Sequence, residues 1–191
     1  NAGHTLHIYN RSKAKAESLQ GNFTLFDTPK AAVEGQDVVF TMLADDHALT
    51  EVTSGEHGFL NAMKKGALHI SLSTISAELA KDLAKMHAQS GSLYLASPVF
   101  GRPNAAADAK LFICISGSPE AKEMATPLLE IIGQAVYDFG EQVQNANVLK
   151  LTGNFMIMAA MEMMAEAFTL AEKQGLDREQ VADFFGNTLF N

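Results

Sequence analysis

Asp37-Val38-Val39-Phe40-Thr41-Met42-Leu43 is apolar on both faces of an extended chain, and it ends in Ala44-Asp45-Asp46. A half-buried strand alternates apolar with polar residues. A run apolar on both sides is the pattern of a parallel strand covered by helices above and below. The segment is therefore read as a central strand. Similar runs recur at 5–9, 67–72, 92–96, 110–115 and 135–139, with a shorter one at 23–26. Between them the apolar spacing turns helical, at 12–19, 28–33, 48–53, 76–90 and 119–132. Short apolar strands alternating with helices predict βαβ units, and so an α/β fold with a mostly parallel sheet.

The punctuation agrees. The 76–90 stretch opens with Ser76-Ala77-Glu78, close to a capping pattern, and closes at Gly91. The 119–132 stretch opens on Pro119, where the missing N–H costs nothing. Residues 93–98 run almost directly into 110–115, which predicts an antiparallel extension at one edge of the sheet. After Gly140 the grammar changes: from 141 to 174 the composition is Ala, Met, Leu and Glu, with Gly153 as the one break. The run Phe155-Met156-Ile157-Met158-Ala159-Ala160-Met161 is apolar on every side, which predicts a helix buried all round. Gly175 ends this helix and Asp177 caps another over 178–185. The predicted organisation is a Rossmann-like α/β domain over 1–140, then the start of an all-α domain over 141–191, entered by a long helix.

Of the 191 residues 47% are hydrophobic and 19% charged, which provides for a sizeable core. A net charge of −8 disfavours a nucleic-acid surface. Cys114 is the single cysteine, so an internal disulfide is excluded. Its place in Leu111-Phe112-Ile113-Cys114-Ile115 reads as a buried structural thiol. No signal peptide is seen and no apolar stretch is judged long enough to span a membrane, so a cytoplasmic protein with no membrane partner is expected. Asn1-Ala2-Gly3-His4 reads as the end of a helix terminated by Gly3, and Thr188-Leu189-Phe190-Asn191 carries no stop signal. Both ends suggest an internal portion of a longer chain.

Five segments bear chemistry. Tyr9-Asn10-Arg11-Ser12 follows the first strand, where a doubly wound sheet meets the ribose of a dinucleotide. An acidic residue there would take a 2′-hydroxyl, whereas Arg11 beside Ser12 suits a 2′-phosphate. A plain turn with a helix cap is the alternative. Thr41-Met42-Leu43-Ala44-Asp45 and Ser71-Leu72-Ser73-Thr74-Ile75-Ser76 end two strands with small or hydroxylated residues, compatible with a flat ring or with ordinary capping. Asp45-Asp46-His47 has no partner cluster at metal-ligand spacing and reads as a solvated turn. Ser97-Pro98-Val99-Phe100-Gly101-Arg102-Pro103 has a glycine that admits close approach and an Arg able to clamp a carboxylate, or is a surface loop. Lys150 and Asn154 stand at i and i+4 on one helix face in an apolar setting. A lysine facing a cleft there is partly desolvated and suited to proton transfer. Alternatively, Lys150 snorkels to the surface.

In order, Ala2-Gly3-His4 before a strand ending in Asn10-Arg11-Ser12, then Thr41-Met42-Leu43, Ser73-Thr74, Ser97-Pro98-Val99-x-Gly101 and Leu149-Lys150-Leu151-x-x-Asn154 span nearly the whole chain. The sequence thereby resembles the β-hydroxyacid dehydrogenase family, which includes 3-hydroxyisobutyrate dehydrogenase and glyoxylate and succinic semialdehyde reductases and is related to 6-phosphogluconate dehydrogenase. The resemblance implies an oxidoreductase that moves a hydride between a nicotinamide and a small hydroxy acid, semialdehyde or keto acid. It implies Lys150 as general acid and base, and Asn154 as the residue orienting the substrate. Thr74 would lie near the nicotinamide, with Leu43 and Ala44 as the cofactor's wall. Asn10, Arg11 and Ser12 resemble the version that prefers NADP (NADPH) to NAD. Residues 141–191 would begin a helical domain for substrate and for assembly into a homodimer or homotetramer. The family's glycine-rich turn and first strand are not in this sequence. Where the family commonly carries Ser-Gly-Gly against the substrate carboxylate, this chain has Phe100-Gly101-Arg102, so its substrate is expected to differ. An imine reductase-like enzyme and a non-catalytic dinucleotide-binding scaffold are the competing functions.

Overall fold

The computed structural model describes residues 3–190. The helix end expected at Asn1 and Ala2 lies outside them. Among the described residues there are eight strands and eight α-helices, most of them in the expected alternation: β1 (Leu6–Ile8), α1 (Lys13–Glu17), β2 (Phe23–Leu25), α2 (Pro29–Val33), β3 (Val38–Thr41), α3 (Asp46–Ser54), β4 (Leu68–Ser71), α4 (Ala77–Ser90) and β5 (Leu93–Ala96). Then come β6 (Val99–Phe100), α5 (Pro103–Ala107), β7 (Leu111–Gly117), α6 (Pro119–Ile132), β8 (Gly133–Asp138), α7 (Asn145–Lys173) and α8 (Arg178–Thr188).

The helix starts are set by side chains that satisfy otherwise unpaired N–H groups. Thr28, Asp45, Ser76, Ser118 and Asp177 each accept from the backbone N–H three residues on. Pro119 sits in the first turn of α6, and Gly91 closes α4 in the left-handed conformation that favours glycine.

Two sheets result. β1 and β2 pair in parallel. The larger sheet has the order β3-β4-β5-β7-β6, with β8 added on β7. β3, β4 and β5 are parallel, and β7 runs antiparallel to β5 and β6 and parallel to β8. The antiparallel extension is therefore as expected. β3 is not central, however. Among the described residues it pairs with β4 alone, and Phe40 and Met42 are exposed. Val39 and Thr41 are buried while Phe40 is exposed, so one face of the strand is packed and the other is open despite its apolar residues.

β6 and α5 were not expected. Ser97-Pro98 looks like a break, yet Cys114 N–H donates to the Pro98 carbonyl at 3.0 Å and carries the pairing with β7 through to Val99 and Phe100. Gly101 follows at φ +147°, and a Cβ there would meet Leu111 Cδ2 at 2.7 Å. Gly101→Ala is expected to cost about 1–3 kcal/mol through a strained backbone and this overlap, read as a lowered urea midpoint. A midpoint equal to wild type would refute that reading.

The chain divides into two compact units, Asn1–Lys150 and Leu151–Asn191. In the first, Leu68, Ile70, Leu95, Ile113 and Leu129 form one fully buried core under α6. A second cluster gathers Leu49, Ile75, Leu83, Tyr94, Cys114 and Ala146. In α7, by contrast, Phe155, Met156, Ile157, Met158 and Met161 are all exposed, and its buried residues are Ala146 and Asn147. The prediction of a helix buried all round is corrected. Among the described residues of the second unit α8 is the one other helix, too little surface to cover an apolar cylinder. The expectation that no stretch reaches membrane-spanning length is corrected too. α7 has 29 residues and a window of mean hydropathy 1.2, enough by length and composition alone. Counting uninterrupted apolar runs missed it, because Glu162 and Glu166 interrupt the run without lowering the average below that value.

A file of polar side chains runs through the first unit. Thr41 Oγ1 lies 2.8 Å from His69 Nε2, His69 Nδ1 lies 2.9 Å from His87 Nε2, and His87 Nδ1 lies 2.8 Å from Ser92 Oγ. Both imidazoles are fully buried. Burial pulls both below the usual histidine range, His87 to about 4, and at His69 the neighbouring His87 adds to the effect. Both are neutral in the folded chain, whereas the unfolded chain takes up these protons near pH 6.5. Below that pH the unfolded state binds more protons, so stability falls as pH drops from 6.5 through 4. The urea midpoint is expected to fall steeply over that window and less steeply in His87→Gln. Equal slopes for the two proteins would contradict it.

Candidate active site

Two loops at the carboxyl ends of β3 and β4 are tied together. Leu43 N–H donates to Ser73 Oγ at 2.9 Å, and Ser76 N–H donates to Asp46 Oδ1 at 2.9 Å. Ser73 is fully buried, so this clasp is sheltered from water. It sets Leu43 and Ala44 beside the loop bearing Thr74, whose half-buried side chain enters no hydrogen bond among the described residues. A strand end of this kind presents a small, preorganised surface to a flat ring.

The first turns of α7 are clamped onto the same end of the sheet. Ser116 Oγ, at the end of β7, accepts from Ala146 N–H at 2.9 Å and donates to the Val143 carbonyl at 2.7 Å. Asn145 Nδ2 donates to the Phe139 carbonyl, just past β8. Asn147 is buried, and its Oδ1 accepts from Ile75 N–H at 3.4 Å, joining α7 to the loop that carries Thr74. Lys150 follows one turn later. The second buried cluster knits the region together, since Leu43, Phe100 and Leu149 all pack against it.

Lys150 is half-buried, its Nζ 3.9 Å from the centroid of the Phe100 ring. Burial lowers its pKa from the ordinary value, with the Cys114 thiolate form opposing. Burial pushes the Cys114 thiol up, away from the reactive thiolate, with Lys150 pulling the other way. No carboxylate pairs with Lys150 among the described residues. An amine that is partly desolvated, without a carboxylate partner and reachable from solvent gives up its proton more readily than a free lysine and can regain it.

The remaining expected site residues are more scattered. Arg102 is exposed at the start of α5, and the space at Gly101 is filled by Leu111 and Ala105. Asn154 lies one turn beyond Lys150 along α7, in the second unit. Asn10, Arg11 and Ser12 follow β1. Asn10 Oδ1 accepts from Ser12 N–H, while Ser12 precedes α1 without capping it. The Arg11 guanidinium makes no ion pair or hydrogen bond among the described residues. Both Arg11 and the Ser12 hydroxyl are therefore uncommitted, as a phosphate ligand requires. The sequence places Ser73 in the Ser73-Thr74 pair and Asp46 in a solvated turn, but the bonds by which Asp46, Ser73, Ser116 and Asn147 hold the site together were not expected from it. The one available signal was their polarity at strand and helix ends.

Residues 1–140 match the family described as the NAD binding domain of 6-phosphogluconate dehydrogenase. An uncharacterized oxidoreductase of Bacillus subtilis, YfjR, is 42% identical over 99% of this chain and 68% of its own length. The chloroplastic glyoxylate/succinic semialdehyde reductase 2 of Arabidopsis thaliana is 30% identical, over 92% of this chain and 49% of that protein. The Mycobacterium tuberculosis 3-hydroxyisobutyrate dehydrogenase, solved with L-serine, superposes with a TM-score of 0.87 at 27% identity, over 100% of this chain and 64% of that one. The chain thus spans about half to two thirds of these proteins. It belongs to the 6-phosphogluconate dehydrogenase-like family of NAD-binding oxidoreductases.

Proposed function

We propose that the protein is an NADP-dependent reductase or dehydrogenase of a small hydroxy acid, semialdehyde or keto acid, with Lys150 transferring the proton. The observation that carries this reading is the Lys150 amine, half-buried over the Phe100 ring and without a carboxylate partner among the described residues, on the helix start that Asn147 ties to the loop of Thr74. Leu43, Ala44 and Thr74 would hold the nicotinamide end of the cofactor, and Arg11 and Ser12 the 2′-phosphate, with Asn10 fixing their turn. When bound, that cofactor supplies or accepts the hydride. Lys150, protonated, donates to the carbonyl oxygen as it gains charge. In the opposite direction the neutral amine removes the hydroxyl proton. Asn154 and Arg102 would orient the substrate, and Phe100 and Gly101 would form the wall near it.

On the same reading, residues 1–140 form the cofactor domain and 141–191 begin a helical domain for substrate and assembly. On this reading the exposed Met- and Phe-rich surface of α7 would be covered in a homodimer or homotetramer. A buried, unpaired Cys114 fits a cytoplasmic location.

The test is a panel of small aldehydes, keto acids and imines offered to the full-length protein with NADPH, followed by absorbance. Consumption of NADPH with an aldehyde or keto acid is expected. Consumption with imines alone would reassign the substrate class. None at all, with NADPH bound, would favour a binding scaffold.

A further inference from the structure

The ammonium of Lys150 stands over the face of the Phe100 ring. At 3.9 Å from the ring centroid, the ammonium lies well inside the ~6 Å within which a ring's quadrupole attracts a cation. A lysine has a flexible stem with many rotamers, and without a partner its charge would spread over several positions. Here there is no carboxylate partner among the described residues. The ring, in contrast, is fixed independently of the lysine. Phe100 stands opposite Phe112 in the β6–β7 register, the Pro98 carbonyl is held by Cys114 N–H, and the side chain packs on the cluster of Leu49, Ile75, Cys114 and Ala146.

We propose that Phe100 is a positioning residue for Lys150, its ring face seating the ammonium at the point from which it donates its proton. The inference rests on the reading of Lys150 as the proton-transfer group. A ring suits this task better than the usual lysine partners do. A carboxylate would hold the ammonium harder but raise its pKa and make it a poorer acid. A backbone carbonyl would take up one N–H by a directed hydrogen bond. The ring attracts the charge through its face and leaves the N–H groups pointing away from it free for a substrate oxygen. It also replaces water on one side of the amine, so the seat and the partial desolvation have a common source. Cys114 on β7 is the titratable group that acts on Lys150 electrostatically, and its thiol stays neutral.

Competitive labelling with acetic anhydride over a range of pH, read at the Lys150 peptide by mass spectrometry, gives the titration of this amine without a substrate. Phe100→Leu and Phe100→Met keep the apolar cover and remove the ring, whereas Phe100→Tyr and Phe100→Trp keep a ring. With folding checked by circular dichroism, the Lys150 midpoint is expected to fall by about 0.5–1 pH unit in the ring-free variants. It should stay at the wild-type value in the ring-bearing ones. An unchanged midpoint in the ring-free variants, or an equal fall in all four, overturns the proposal. The labelling reads Lys150 directly, so its outcome is separate from turnover. Normal turnover in Lys150→Ala would remove the lysine from the reaction without altering the labelling result.

Discussion

Lys150→Ala is expected to lower turnover by a factor of at least ~10² while leaving NADPH affinity unchanged. The loss follows from what the amine does. A carbonyl oxygen that gains a hydride's worth of charge needs a proton at that moment, and water in a half-closed site is a slow and poorly placed donor. The unchanged affinity follows from geometry. The clasp between Leu43 and Ser73, the Thr74 loop and the turn at Arg11 make no bond to the Lys150 side chain. The site around Lys150 is held by Ser116, Asn145 and Asn147, so truncating the lysine leaves the helix start in place. Stopped-flow turnover beside fluorescence titration of NADPH checks both halves. Near-normal turnover would end the assignment, and a parallel loss of NADPH binding would make Lys150 a structural residue.

Arg11→Ala should weaken NADPH by roughly 10- to 100-fold, the worth of a charge-assisted hydrogen bond to phosphate, and NADH hardly at all. The guanidinium is exposed and pairs with nothing among the described residues, so its removal does not disturb a network. The distinction between the two cofactors is the 2′-phosphate alone, and titration of both against wild type and variant isolates it. Equal weakening of NADPH and NADH would assign Arg11 to the turn rather than to the phosphate.

Much of this architecture was legible because periodicity and capping act locally. Thr28, Asp45, Ser76, Ser118 and Asp177 each satisfy an N–H three residues away, and such signals survive without knowledge of the fold. β6 was not legible, because two residues carry no period and its pairing depends on β7, more than ten residues on. The place of β3 at an edge depends on which strands are present, which its own composition cannot report. Burial of α7 failed for the same reason: apolarity measures what a helix would bury, and its neighbours decide what it does bury.

The candidate site divides the same way. Lys150 and Arg11 were legible by residue type and place, each at the end of an element where a ligand is expected. What supports them was not. Asp46 reaches Ser76 across thirty positions and Asn147 reaches Ile75 across seventy-two, contacts that only the folded chain brings together. The central pair His69–His87 was hidden by its apolar surroundings, although a histidine in the middle of Leu68-His69-Ile70 is an anomaly with a physical cause.

The most direct test of the central claim is chemical rescue. Lys150→Ala, supplied with NADPH and a substrate that wild type reduces, is assayed with increasing concentrations of small primary amines. If Lys150 moves the proton, ammonia or methylamine entering the vacated space restores turnover, more so for amines whose pKa approaches that of the seated lysine. A variant that is slow and indifferent to every amine, yet binds NADPH normally, would contradict the account.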